Sequence, residues 1–230
     1  SACGKGGQWE KAIKLFNSME VCGVKPDVIT FSATISACEK GGQWVKALAL
    51  FNSMEDRGLQ PNVFTLSAAI SACGKGGQWK KALELFNSMQ DRGVEKNEIT
   101  MTVCIEVLNR AGCFAKADET MLNARKLGYY STVWSSDSEI DLHGCSVAVA
   151  KTALRRIILD LKSGSRPSCD IVIITGQGKG SGKRGAALPG QVRSFLIEYS
   201  GPQITEVPTT PGRFLLSRKD LLRWIEEDGR

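Results

Sequence analysis

Long apolar runs are missing from this 230-residue chain. Nowhere do the roughly 18 to 20 consecutive apolar residues of a membrane-spanning helix occur, which excludes an integral helical membrane protein. Histidine is nearly absent. His143 is the one residue of its type, so a two-histidine ribonuclease mechanism is excluded within the chain. No Cys-x-x-Cys pair exists among the eight cysteines (Cys3, Cys22, Cys38, Cys73, Cys104, Cys113, Cys145, Cys169). That argues against a disulfide scaffold and against a zinc site, and it fits a reducing compartment. Nor is there the polar excess of a disordered chain, since 42% of residues are apolar and 23% charged. The length predicts two domains. The net charge of +6 suits an anionic partner.

What is present is repetition. Ser-Ala-Cys-(Gly/Glu)-Lys-Gly-Gly-Gln-Trp starts at Ser1, Ser36 and Ser71, a period of 35 residues. Blocks 1–35 and 36–70 share 23 of 35 residues, enough to fix that period, and a looser fourth unit follows with Phe114 at the Trp79 position. A fixed period of this size signals a solenoid, in which each unit buries its apolar face only against its neighbours. Each unit reads as two helices. Trp44, Ala47, Leu48, Phe51 and Met54 form one stripe of a 3.6-residue helix closed by Arg57-Gly58. Val63 to Cys73 is the first helix of the next unit, ending before the Gly76-Gly77 turn. Ser1-Ala2-Cys3 corresponds to the tail of a first helix, so further repeats and any targeting segment are expected upstream.

Beyond a Ser-, Thr- and Tyr-rich linker at about 129–138 the pattern becomes mixed α/β. Ile140 to Leu142 reads as a strand and Ser146 as the cap of a helix reaching Lys162. Asp170 to Ile174 reads as a buried strand, followed by a basic glycine-rich loop at 175–185 and a helix at Gln191 to Tyr199. Ile204 to Val207 and Arg213 to Ser217 read as strands and Asp220 to Glu227 as a closing helix. The expected fold is an α-solenoid over residues 1–130 (a partial first repeat, then 28–62, 63–97 and 98–130), followed by a small α/β two-layer sandwich over 139–230.

The 35-residue hairpin, with Lys-Pro-Asp-Val-Ile-Thr-Phe-Ser at Lys25 to Ser32, resembles the pentatricopeptide repeat. The resemblance implies single-stranded RNA as partner, one base per repeat, read by two or three side chains. It assigns base reading to the fifth and last positions of a unit: Ser32 with Asn62, Ser67 with Asn97, and Thr102, whose partner position falls on Thr132 in the linker. Ile29, Phe64 and Ile99 hold the second position, which in this family sandwiches the bases. A small hydroxyl with Asn resembles the family's adenine combination. The residues also admit a plainer reading, because Asn62 and Asn97 precede helices where Asn is a favoured N-cap, and Ser32 and Ser67 are small enough to be helix contacts.

Ile140-Asp141-Leu142-His143-Gly144 and Thr175-Gly176-Gln177-Gly178 resemble the motifs of the small MutS-related (SMR) domain, over about 139–228. That family includes nucleic-acid endonucleases and members that only bind. The resemblance makes Asp141 and His143 the catalytic candidates, two apart on a strand and therefore on one face. A neutral imidazole takes a proton from a 2′-hydroxyl or water near neutral pH; an aspartate beside it orients the ring or holds a metal, Mg²⁺ being the candidate cofactor. The loop adds Thr175, Gly176, Gly178, Lys179, Lys183 and Arg184 as a phosphate cradle, with a solvated surface loop as the alternative.

A nucleotide cofactor is not expected. Gly182-Lys183 lacks the glycine and hydroxyl a P-loop requires, and Gly180-x-Gly182-x-x-Gly185 sits in the wrong context for a dinucleotide fingerprint. The combined expectation is sequence-selective RNA binding coupled to an SMR endoribonuclease in organelle RNA processing. The alternative is a non-cleaving protein that stabilises or remodels transcripts, and a peptide-binding scaffold is a third reading. The resemblance places the protein in a plastid or mitochondrion.

Overall fold

The computed structural model describes residues 8–176 and 187–228. Two compact units result, residues 1–117 and 118–230, divided inside a helix rather than at the 129–138 stretch. Seven helices of the repeats precede a four-stranded sheet with three helices among the described residues.

The repeats alternate helices whose starts are set by different devices. α2 (Val28–Lys40), α4 (Val63–Lys75) and α6 (Glu98–Arg110) begin behind Asp27, Asn62 and Asn97, whose side chains accept the backbone N–H of the third helical residue. α1 (Trp9–Val21), α3 (Trp44–Asp56) and α5 (Trp79–Asn87) begin at a tryptophan with no side-chain cap. The Gly-Gly before each Trp has two separate causes. Gly42 and Gly77 take positive φ (+69° and +73°), which a Cβ resists. Gly41 and Gly76 are needed for space, because a Cβ on either would fall 2.2 or 2.3 Å from the preceding unit's Trp9 or Trp44. Phe31, Phe51, Met54, Leu66, Ile70, Met101 and Ile105 are fully buried between hairpins, each contributing about 1.5–3 kcal/mol by removal from water. α7 (Phe114–Lys126) follows, with the division between the two units inside it.

In the second unit the expected linker is packed structure. Tyr130 and Val133 are buried, the latter in a 3₁₀ turn (Ser131–Trp134). Arg166 pins the next residues by donating from Nη2 to Ser136 O (2.7 Å) and Asp137 O (3.0 Å). β1 (Glu139–Asp141) pairs parallel with β2 (Ile171–Ile174), β2 antiparallel with β4 (Arg213–Leu216), and β4 with β3 (Thr205–Glu206), giving the order β1-β2-β4-β3. α8 (Val147–Lys162) starts where Ser146 accepts from Val149 N and buries Val149, Ala153, Leu154, Ile157 and Leu161. α9 (Ala187–Glu198) begins four residues before the expected Gln191. Pro189 does not delay it, because the first turn's N–H groups lack intrahelical acceptors in any case. α10 (Arg218–Asp228) closes the described chain, its Trp224 Nε1 donating to Ser200 O at 2.6 Å.

Candidate RNA-facing surface and candidate catalytic turn

α2, α4 and α6 pack side by side, so residues 35 apart form rows. Ile29, Phe64 and Ile99 are 76%, 68% and 54% exposed, although their neighbours in the same helices are core. One bare apolar side chain per repeat, at one register, is what stacking on a row of planar groups requires. Ile29, Ser36 and Lys40 fall within about 40° of one another around α2 at 100° per residue, and Ser32 lies about 60° from Ile29. The stripe of apolar tip, hydroxyl and cation recurs in α4 as Phe64, Ser71 and Lys75, whereas α6 has Glu106 between Ile99 and Arg110.

The hydroxyl positions are half-buried and engaged. Ser32 Oγ contacts Val28 O and Thr65 Oγ1, both at 2.7 Å. Ser67 Oγ donates to Val63 O at 2.7 Å. Thr102 is half-buried on α6. The amides are caps. Asn62 Oδ1 accepts Thr65 N (2.9 Å) and Thr65 Oγ1 (2.8 Å), and Asn97 Oδ1 accepts Thr100 N (3.0 Å). The capping alternative is thus realised, yet it uses only the amide oxygens. Each Nδ2 has no partner among the described residues and remains for a ligand.

Three cations and one acid went unnoticed in the sequence, though the same 35-residue interval marks them. Lys40, Lys75 and Arg110 stand in the last turns of α2, α4 and α6. Lys75 is held by Glu39 Oε1 at 2.7 Å, while Lys40 and Arg110 are exposed. Asp27 occupies the place of Asn62 and Asn97. Hydrogen bonds from the Thr30 backbone and then its hydroxyl, at 2.8 and 2.7 Å, hold the carboxyl below its usual range.

The second cluster differs from expectation in one respect. His143 is not on a strand. β1 ends at Asp141, and His143 sits in a turn closed by Cys145 N donating to Leu142 O at 3.0 Å, with Gly144 at φ +80°. Asp141 makes this turn, its Oδ1 accepting the His143 backbone N–H at 2.8 Å. The carboxylate therefore orients the histidine through its main chain. The exposed imidazole reaches the end of β2, where a Cβ on Gly176 (φ +75°) would lie 2.9 Å from His143 Cδ2 and 3.9 Å from Nε2. Thr175 is buried, with N and Oγ1 both donating to Gly212 O (2.8 and 2.9 Å). Its hydroxyl proton is thus spent inside the fold. Gly178, Lys179, Lys183 and Arg184 lie outside the described residues.

One Asp141 oxygen accepts the His143 N–H, and no group of three or more His, Cys, Asp or Glu gathers among the described residues. No helix among them is long and apolar enough to cross a membrane. Burial pushes the Cys73 thiol up to about 11 and raises that of Cys38, which makes both poor nucleophiles.

Paired helices at a 35-residue period, stacked by matched Trp and Gly, define a helical-hairpin solenoid. Within that class, the PPR repeat family matches residues 1–40, 33–75 and 68–110, and these are pentatricopeptide repeats. Among solved structures the chain is similar to the pentatricopeptide repeat protein PPR10 in complex with an 18-nt psaJ RNA element, at 16% identity and a TM-score of 0.54, covering 98% of this chain and 26% of that one. It is also similar to the PPR domain of Arabidopsis thaliana protein-only RNase P 1 in complex with tRNA, at 21% identity and a TM-score of 0.46, covering 52% of this chain and 62% of that one. Likeness at these identities concerns the fold. No curated protein sequence matches the chain.

Proposed function

We propose that the repeats bind single-stranded RNA sequence-selectively, one base per repeat, and deliver it to an SMR-type endoribonuclease formed by residues 139–230 as a two-layer α/β sandwich. The observation that carries the binding half is the row of exposed Ile29, Phe64 and Ile99 beside hydroxyl and amide positions. The RNA-bound pentatricopeptide structures to which the fold is similar support it. Ser32 with Asn62, and Ser67 with Asn97, read adjacent adenines; Lys40 and Arg110 meet phosphates. Asp27, at the end of the preceding repeat, offers an acceptor where the asparagines offer a donor.

The cleavage half rests on His143 lying against Gly176. Neutral His143 takes the proton from the attacking oxygen, Asp141 fixes the turn that aims the ring, and the Thr175–Gly176 backbone steadies the phosphate. One observation favours the non-cleaving alternative: the Asp141 carboxylate meets the His143 main chain, and among the described residues no carboxylate is bonded to the imidazole. Residence in a plastid or mitochondrion belongs to the same proposal.

The deciding experiment incubates the chain and its His143→Ala variant with a labelled RNA carrying two adjacent adenines. Cleavage by the parent and a loss of about 100-fold or more in the variant, with binding retained, supports the nuclease. Equal cutting by both, or none by either, leaves only the binding half standing. Asn62→Asp with Asn97→Asp moves base preference toward guanine, because an acceptor replaces a donor, by about 1–3 kcal/mol per base. An unmoved preference would reduce both asparagines to caps.

A further inference from the structure

We infer that Thr65, which belongs to the repeat after the one it serves, is a positioning residue that sets which hydrogen-bonding groups unit 28–62 shows to a base. This rests on the base-reading proposal and adds a residue to it. Thr65 Oγ1 lies between the two reading side chains, 2.7 Å from Ser32 Oγ and 2.8 Å from Asn62 Oδ1, and also 3.4 Å from Asn62 N.

Counting protons fixes the polarity. An amide oxygen only accepts, so the Thr65 hydroxyl proton goes to Asn62 Oδ1. Thr65 Oγ1 is then left as an acceptor, facing Ser32 Oγ and Asn62 N–H. The single Ser32 proton lies between Thr65 Oγ1 and Val28 O, both 2.7 Å away. No hydroxyl proton is left for a ligand, and Asn62 cannot flip without setting its N–H₂ against the Thr65 backbone N–H. Ser32 therefore presents lone pairs only and Asn62 presents N–H only. Such a pair fits a base edge with a donor beside an acceptor, as in the amino group and neighbouring ring nitrogen of adenine.

Unit 63–97 provides an internal contrast. Thr100 occupies the equivalent place, yet its Oγ1 bonds the Asn97 main chain, donating to O and accepting from N at 2.9 Å, and it makes no bond to the Asn97 amide or to Ser67. Two equivalent cap threonines thus differ in whether they reach the reading amide.

The full chain and its Thr65→Val, Thr65→Ser and Thr100→Val variants would be titrated with a labelled single-stranded RNA containing two adjacent adenines, each replaced in turn by the other bases. Thr65→Val should lower the adenine preference opposite unit 28–62 about tenfold while the adjacent preference moves less than about twofold. Thr65→Ser should restore it. Thr100→Val should leave both preferences unchanged despite a similar loss in melting temperature. In the RNA-free protein, NMR should find the Asn62 side chain in one rotamer, and averaged in Thr65→Val. Equal changes of both preferences in the two Val variants, or an Asn62 rotamer as fixed in Thr65→Val as in the parent, would overturn the role given to Thr65. If Asn62→Asp shifts preference and Thr65→Val does not, base reading stands and the relay falls. If the parent shows no base preference, base reading falls, and the relay as a setter of base choice falls with it.

Discussion

The repeat array and the sheet-bearing unit use their side chains in opposite ways. In the array each functional position recurs 35 residues later, and the recurrences lie in rows along α2, α4 and α6. In the second unit residues distant in sequence, His143 and Gly176, meet once at neighbouring strand ends. Damage to the first should therefore be graded and local, whereas damage to the second should be all or none.

The largest test of that contrast lies in the array core. Phe31→Ala removes a fully buried ring packed edge-on at 4.9 Å against Phe16, and should destabilise the array by about 3–5 kcal/mol. Thermal unfolding should show the array transition falling while a probe on Trp224 stays in place. A joint fall of both would break the comparison. Next comes Gly176→Ala. It places a methyl 2.9 Å from His143 Cδ2 at φ +75°, displacing the ring, and on the proposed nuclease reading slows RNA cleavage by about 100-fold with binding kept. Wild-type cleavage by this variant would detach catalysis from that contact.

Smallest is Asp27→Ala, which removes the α2 cap and should lower the array's melting temperature slightly. Because the Asp27 carboxyl is lowered in the fold, its contribution is fully present above the ordinary value near 3.9 and is lost as pH falls through the lowered one. The stability difference between parent and variant should thus shrink on acidification; a constant difference would show that charge plays no part in the cap.

Much of the array was legible because one physical rule, helical periodicity, was stated three times at a fixed interval. The caps at Asn62 and Asn97 follow from the residue type before each helix, while Ile29, Phe64 and Ile99 were marked by the family resemblance. Capping and the proposed base reading could not be separated in the sequence, because the two would use opposite ends of one amide. The turn at His143 was misplaced for a different reason. The alternation Ile140-Asp141-Leu142-His143 looks like a continuing strand, and only the Asp141 bond to the His143 N–H and the positive φ of Gly144 end it. The early start of α9 was hidden by Pro189, which is read as a breaker but is harmless in a first turn.

The Trp9–Gly41 and Trp44–Gly76 fits have a consequence for how such a chain can grow. The Trp9 and Trp44 indoles each need the following unit to lack a side chain at one place. A block such as 36–70 carries both halves of this joint, a glycine for the unit before it and a tryptophan for the unit after. It can be duplicated or deleted whole without opening a gap. The position equivalent to Gly41 and Gly76 in the next hairpin is Ala111, after Trp79. The close fit of indole to glycine is thus made twice, at Trp9 and Trp44, and the third tryptophan is followed by alanine instead.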